Sequence, residues 1–298
     1  MPLFHKLTFA AFIVLTGTLH AVACPDRASA IAAIEAQDRT TAATLQERVA
    51  IDPKCDDAFR LWLDEGVARL TFQAGIEAPT PEQKAQLLTR SLSYFSHWRT
   101  YVALADVAIA QGDRSEEARQ LQLAINQLND GPSRHAASDS EIKEIFDRAV
   151  VAVSLADEVV SAPRTRSGDM GGIFSTQVRG FVVEELPFPI EYVFDSAEMT
   201  PRGESNAQVM LEHLLSANPP AILLEGHTDP KGDDSYNLAL SLKRAEAARD
   251  FFVEKGFTGK VSVAGLGETM RIMPPPAGVD QDTAEHHQLE RRVVLIRE

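Results

Sequence analysis

The stretch Ala221-Ile-Leu-Leu-Glu225, Gly226-His-Thr-Asp229, Pro230-Lys-Gly-Asp-Asp234, Ser235-Tyr-Asn-Leu-Ala-Leu-Ser-Leu-Lys-Arg-Ala245 decides the fold of the C-terminal part of the chain. It opens on an apolar run of strand length, which a Gly/Asp-rich loop stops. From about Ser235 to Lys255 the spacing predicts a helix. On that helix Asn237, Ser241 and Arg244 stand at i, i+4 and i+7 and share one polar stripe. Leu238, Leu242, Ala245 and Phe252 make the opposite stripe, which is expected to be buried. Asp234 and Ser235 are placed to cap it. Asp229 ends the strand that feeds the helix, so the loop can carry its carboxylate back over the polar stripe. The helix N-terminus adds N–H donors and the positive end of a dipole there.

The same alternation continues on both sides. Ile190-Glu-Tyr-Val-Phe194 reads as a strand, and Thr200-Pro201 opens a helix to about Ala217 with Val209, Met210, Leu214 and Leu215 inward. Asn218-Pro-Pro220 stops that helix. Val261-Ser-Val-Ala264 and Arg292-Val-Val-Leu-Ile296 read as two further strands. Strands separated by helices call for an α/β layer with crossover connections. Residues 173–183 offer one more strand, whereas Leu186-Pro-Phe-Pro189 excludes a central one.

Several motifs fall here in one order: Phe194-Asp195-Ser196-Ala197, Gly226-His-Thr-Asp-Pro-Lys-Gly232, Tyr236-Asn237, Leu240-Ser241, Arg244-Ala245, Gly265-Leu-Gly-Glu268 and Arg291-Arg-Val293. In order and spacing they resemble the OmpA family, over roughly residues 187–298. The resemblance implies a β-α-β-α-β-β domain that binds peptidoglycan non-covalently by gripping diaminopimelate of the stem peptide. In that family the Asp of the Thr-Asp pair and the Arg fifteen residues on do the gripping; here these are Asp229 and Arg244. Thr228, Asn237, Leu240, Ser241 and Arg291, inside the same motifs, complete the candidate set.

Chemistry points the same way. Diaminopimelate presents an ammonium beside a carboxylate, so a pocket for it needs one fixed carboxylate and one fixed guanidinium. The planar fork of Arg meets a carboxylate bidentately. The plainer reading is a surface ion pair between Asp229 and Arg244, worth little. The chain departs from the family pattern at Glu290, where Asn usually precedes the Arg-Arg pair. That carboxylate is expected near the rim, opposing the ligand's own or pairing with Arg291. No phosphate-cradling glycine loop, nucleophile elbow or zinc-protease helix is present, so an enzyme is not expected, nor a cofactor. His286-His287 with Asp282 and Glu285 reads as a solvated loop rather than a metal site.

Residues 24–162 read as helix throughout, broken at Asp52-Pro53, Ala78-Pro79-Thr80-Pro81, Gln111-Gly112-Asp113 and Asp130-Gly131-Pro132, with Thr80-Pro81-Glu82-Gln83 a helix start in which Thr80 is the cap and Pro81 lies in the first turn. Tyr101 to Asp113 with Glu116-Glu117-Ala118 resembles one tetratricopeptide repeat, and Val49-Ala-Ile-Asp-Pro53 a junction between two; a plain helical bundle is the alternative. A repeat array would offer an envelope protein a concave surface, with Trp62, Tyr94, Phe95, Trp98 and Tyr101 as anchors or simply as core. Ser161 to Gly172, rich in Pro, Gly, Ser and Arg, places a linker with a possible extra strand at 163–186. The expected fold class is α plus α/β: an all-helical, helical-repeat-like domain at 24–162, then the sheet domain at 187–298.

Residues 1–23 read as a signal peptide: a basic start, an apolar run at Leu7–Ala23, and Ala21-Val22-Ala23 as the cleavage site. The run is at the short limit for a membrane anchor. Export leaves Cys24 and Cys55, the two cysteines, free to pair in an oxidising periplasm, or Cys24 to be lipidated at the outer membrane. A formal net charge of −14 argues against nucleic acid as a partner. Two functions fit: a periplasmic protein tethering a helical interaction domain to peptidoglycan, or an envelope scaffold whose OmpA-like module binds the wall weakly or not at all.

Overall fold

The computed structural model describes residues 24–297 except 133–136, 167, 169, 176, 179, 184, 274 and 277. The expected signal peptide at 1–23 lies outside them. The chain divides into two compact units, residues 1–70 and 71–298. Among the described residues no helix is long and apolar enough to cross a membrane.

The first unit holds α1 (Arg27–Glu35), α2 (Arg39–Ile51) and the start of α3 (Asp57–Glu77). Asp38 caps α2 by accepting the Thr41 N–H at 3.0 Å. Ala30, Ile34, Leu45, Val49, Leu63 and Val67 are all buried. Cys24 and Cys55 form a disulfide across 31 positions of sequence. Arg27 braces the same corner, pairing with Asp56 and lying 4.2 Å from the Phe59 ring centre.

The second unit begins with helices. In α4 (Pro81–Tyr94) Thr80 is the cap and Pro81 occupies the first turn, as the sequence predicts. Helices α5 (Trp98–Ala110), α6 (Arg114–Asp130) and α7 (Asp139–Leu155) follow, with Asp113 capping α6 and a Ser138/Glu141 capping box on α7. Trp98 is buried core, and Tyr101 packs against the same core while its hydroxyl meets Ser96 at 2.9 Å. Trp62, Tyr94 and Phe95 are half-buried.

The sheet comprises β3 (Glu185–Phe188), β4 (Ala221–His227), β5 (Lys260–Gly267) and β6 (Val293–Arg297) in the order β3-β6-β4-β5. Only β4 and β5 run parallel; the other pairs are antiparallel. Helices α8 (Pro201–Ala217) and α9 (Asp234–Glu254) make the crossovers. The first strand therefore lies at 185–188, not 190–194. Pro187 is tolerated because β3 is an edge strand. Residues 190–194 carry only the Tyr192–Met199 bridge before a turn with Asp195 at φ 58°. A short helix, α10 (Ala284–Glu290), is inserted before β6. It buries His286 and His287, which the sequence reading leaves in a solvated loop. No group of side chains able to hold a metal occurs among the described residues.

The helices and the sheet of this unit share one core, which runs from Trp98 and Leu121 through Ile142 and Phe146 to Leu224, Phe252 and Leu295. The stretch expected as linker is part of it. A 3-10 turn at Gly172–Phe174 and a hairpin of β1 (Gln177–Val178) and β2 (Phe181–Val182) place Ile173, Phe174 and Val178 inside. Its backbone is satisfied by side chains of α6. Asn126 donates to the Arg164 carbonyl at 3.0 Å and accepts the Gly172 N–H at 2.8 Å. Gln122 donates to the Ser161 carbonyl at 3.3 Å. Composition reads this segment as a linker because its apolar residues are few; Met170, Ile173, Phe174, Val178, Val183 and Leu186 are nevertheless buried, and Val182 is left exposed.

Asn126→Leu leaves both backbone groups unpaired under α6 and is expected to cost about 1–3 kcal/mol, read as a lower denaturant midpoint with unchanged slope. Cys24→Ser with Cys55→Ser is expected to cost the first unit about 2–4 kcal/mol, read as faster hydrogen exchange confined to α1 and α2.

Candidate functional site

Helix α9 lies unusually close to the ends of β4 and β5. A Cβ on Gly226 would stand 2.1 Å from the Ser241 carbonyl oxygen, and one on Gly265 2.6 Å from the Leu242 nitrogen. Only glycine admits that approach. Between backbones so near there is no room for large apolar side chains. The polar stripe therefore faces inward: Asn237, Ser241 and Arg244 are buried, followed by Ala245, Ala248 and Phe252. Leu238 and Leu242, expected on the buried side, are 50% and 37% exposed. No side chain caps α9, so neither Asp234 nor Ser235 takes the expected role.

Each polar side chain on that face fills a vacant backbone valence. Ser241 Oγ donates to the Leu238 carbonyl and accepts the Gly267 N–H, both at 2.9 Å. Asn237 Nδ2 donates to Glu268 Oε2 at 2.5 Å, with the Asp229 and Lys231 carbonyls each at 3.3 Å. The Thr228 N–H donates to the Gly267 carbonyl at 2.9 Å, while its buried hydroxyl has no partner among the described residues. The Ser241 and Asn237 side chains and the Thr228 backbone hold the loop that carries Asp229.

Arg244 is 6% exposed, and its Nε donates to the Ser196 carbonyl at 3.0 Å. Its guanidinium carbon lies 5.2 Å from the Tyr192 ring centre, and the Tyr192 hydroxyl donates to the Arg244 carbonyl at 2.8 Å. Burial lowers the Arg244 pKa, and burial pushes the Tyr192 phenol up. Arg244 has no ion pair among the described residues. Asp229, 8% exposed, spends Oδ1 on the Lys231 N–H at 3.0 Å and Oδ2 on Arg291 Nη1 at 2.5 Å. Asp229 and Arg244 do not bond each other, although the Asp229 charge acts on Arg244 through space. Leu240 is half-buried on the neighbouring face of α9.

Glu290 is not at the rim. It is fully buried and takes Arg271 Nε at 2.6 Å, so it neither pairs with Arg291 nor opposes a ligand there. Tyr192, the Ser196 carbonyl and Glu268 belong to the site beyond the expected set. Ser196 and Glu268 sit inside the motifs already quoted, whereas Tyr192 reads in sequence only as an alternating strand residue.

A family model described as OmpA family matches residues 192–284. Over 122 residues the chain is 34% identical to photosystem I P700 chlorophyll a apoprotein A2 of Gloeobacter violaceus, covering 40% of this chain and 14% of that protein. Over 87 residues it is 34% identical to outer membrane protein A of Citrobacter freundii, covering 28% of this chain and 37% of that protein. The chain thus spans well under half the length of these relatives. A crystal structure of the peptidoglycan-associated lipoprotein from Burkholderia pseudomallei overlaps 40% of this chain and 92% of that one, at 25% identity and a TM-score of 0.30.

His227, at the end of β4, is buried with both ring nitrogens unpartnered among the described residues. Burial lowers its pKa from 6.5 to about 4, and the charge of Arg292 adds to this. The unfolded chain therefore binds the extra proton first, and stability present above pH 6.5 is lost as pH falls from about 6.5 towards 4. Denaturant titrations across that window are expected to show the loss, and His227→Leu to flatten it.

Proposed function

We propose, from the match of residues 192–284 to the OmpA family model, that the protein binds peptidoglycan non-covalently in the periplasm, through diaminopimelate of the stem peptide. Arg244 takes the ligand carboxylate and Asp229 its ammonium; Thr228, Asn237, Ser241 and Leu240 shape the site, and Arg291 stands beside Asp229. One observation carries the reading: Arg244 is buried, oriented by Ser196 and Tyr192, and without a carboxylate partner among the described residues. A guanidinium withdrawn from water and left unpaired is costly, and a bound carboxylate offsets that cost.

Export and an oxidising compartment fit the Cys24–Cys55 pair, whose sulfur a lipid on Cys24 would need instead. The helices 24–162 are then what is held at the wall, with an envelope protein as their partner. The second reading, a scaffold whose module binds the wall weakly, is favoured by the contact of Arg291 with Asp229, which already neutralises the acidic half of the site.

Residues 24–298 are expected to sediment with purified sacculi. Asp229→Asn and Arg244→Ala, each checked for folding by circular dichroism, are expected to lower the bound fraction by about tenfold or more, as for loss of one charge-assisted contact. Retention of both variants sinks the assigned site; wild-type protein left in the supernatant favours the scaffold.

A further inference from the structure

Beside the polar face of α9 runs a second stripe: Tyr236, Ala239, Leu240 and Lys243, at i, i+3, i+4 and i+7. With Asp195, Ser196 and Ala197 of the turn before α8 it lines a cavity of about 330 Å³. Ser196 joins this cavity to the Arg244 site, since its carbonyl accepts Arg244 Nε while the residue lines the cavity wall. The Asp195 carboxylate accepts the Tyr236 hydroxyl, which fixes the far wall and raises the Tyr236 pKa. Lys243 is the cation of the cavity and has neither an ion pair nor a hydrogen bond among the described residues. The cavity is therefore a continuation of the proposed clamp, with one spoken-for carboxylate and one unengaged ammonium.

We propose that this cavity takes the residue attached to the diaminopimelate, and that Lys243 selects a free carboxylate on it. The inference rests on the proposed wall-binding reading. In the stem peptide the residue before diaminopimelate is joined through its side-chain carboxyl, as a γ-glutamyl unit. Its α-carboxyl stays outside the chain of amide bonds and is either a carboxylate or, where amidated, a neutral carboxamide. A chain whose diaminopimelate carboxylate sits on Arg244 continues past Ser196 into the cavity, where the next anionic group meets Lys243. An ammonium on a flexible stem accepts a carboxylate as a point charge and gains little from a carboxamide. The pair is exposed, so the discrimination is modest and salt-sensitive.

The test uses residues 24–298 and two synthetic tripeptides, alanyl-γ-glutamyl-diaminopimelate with the glutamyl α-carboxyl free or amidated, together with free diaminopimelate. Titration calorimetry at low salt is expected to give about fivefold tighter binding of the acidic peptide, a difference that shrinks at high salt. Lys243→Gln is expected to bind the acidic peptide as weakly as wild type binds the amidated one. Lys243→Arg is expected to restore the preference, and free diaminopimelate to bind all three proteins alike. Equal binding of both peptides by wild type, or full preference in Lys243→Gln, overturns this inference alone, provided Asp229→Asn still weakens binding of both peptides. If wild type binds neither peptide nor free diaminopimelate, the wall-binding reading falls and this one with it.

Discussion

The approach of α9 to the strand ends at Gly226 and Gly265 is the constraint on which the rest of the C-terminal structure depends. Two positions without a Cβ bring helix and sheet backbones within contact, and that decides which face of α9 is inside. A helix farther away would bury Leu238 and Leu242 and turn Arg244 out to water. Close up, the interior face must satisfy exposed backbone groups, and Asn237 and Ser241 do so in a space too thin for leucine. Arg244 is buried as a consequence, one turn on, where the helix passes Tyr192 and the Ser196 carbonyl.

Charge placement then separates binding groups from supporting ones. Glu290 and Arg271 lie side by side and satisfy each other, fixing the chain that leads into β6. Arg291, the next residue, reaches across to Asp229. Arg244 alone of these is buried without a counter-charge among the described residues. Burying an ion without a partner costs several kcal/mol unless something else repays it. A group in that condition marks where a ligand is expected, and a satisfied pair marks where it is not.

The helical part of the second unit is joined to the sheet by shared packing rather than by a tether. Asn126 and Gln122 on α6 supply the hydrogen bonds that the intervening segment cannot make for itself. That segment buries Ile173, Phe174 and Val178 in a core common to α5–α7, the sheet and α9. Whatever α5–α7 hold is thereby held in fixed relation to the sheet.

The sequence by itself determined the alternation of strands and helices, the Thr80, Thr200 and Pro-led helix starts, and the Asp229–Arg244 spacing, because these are short-range properties of the chain. Capping, periodicity and a strand-to-helix loop need only neighbours to be legible. Tertiary structure decided what depends on distance between segments: that the polar stripe is the buried one, that the first strand is Glu185–Phe188 and not 190–194, and that Glu290 answers Arg271. It also decided that a Pro/Gly/Ser-rich stretch belongs to a core. Composition reports how much apolar surface a segment carries. It cannot report whether another element, here α6, stands ready with the polar groups that make its burial possible.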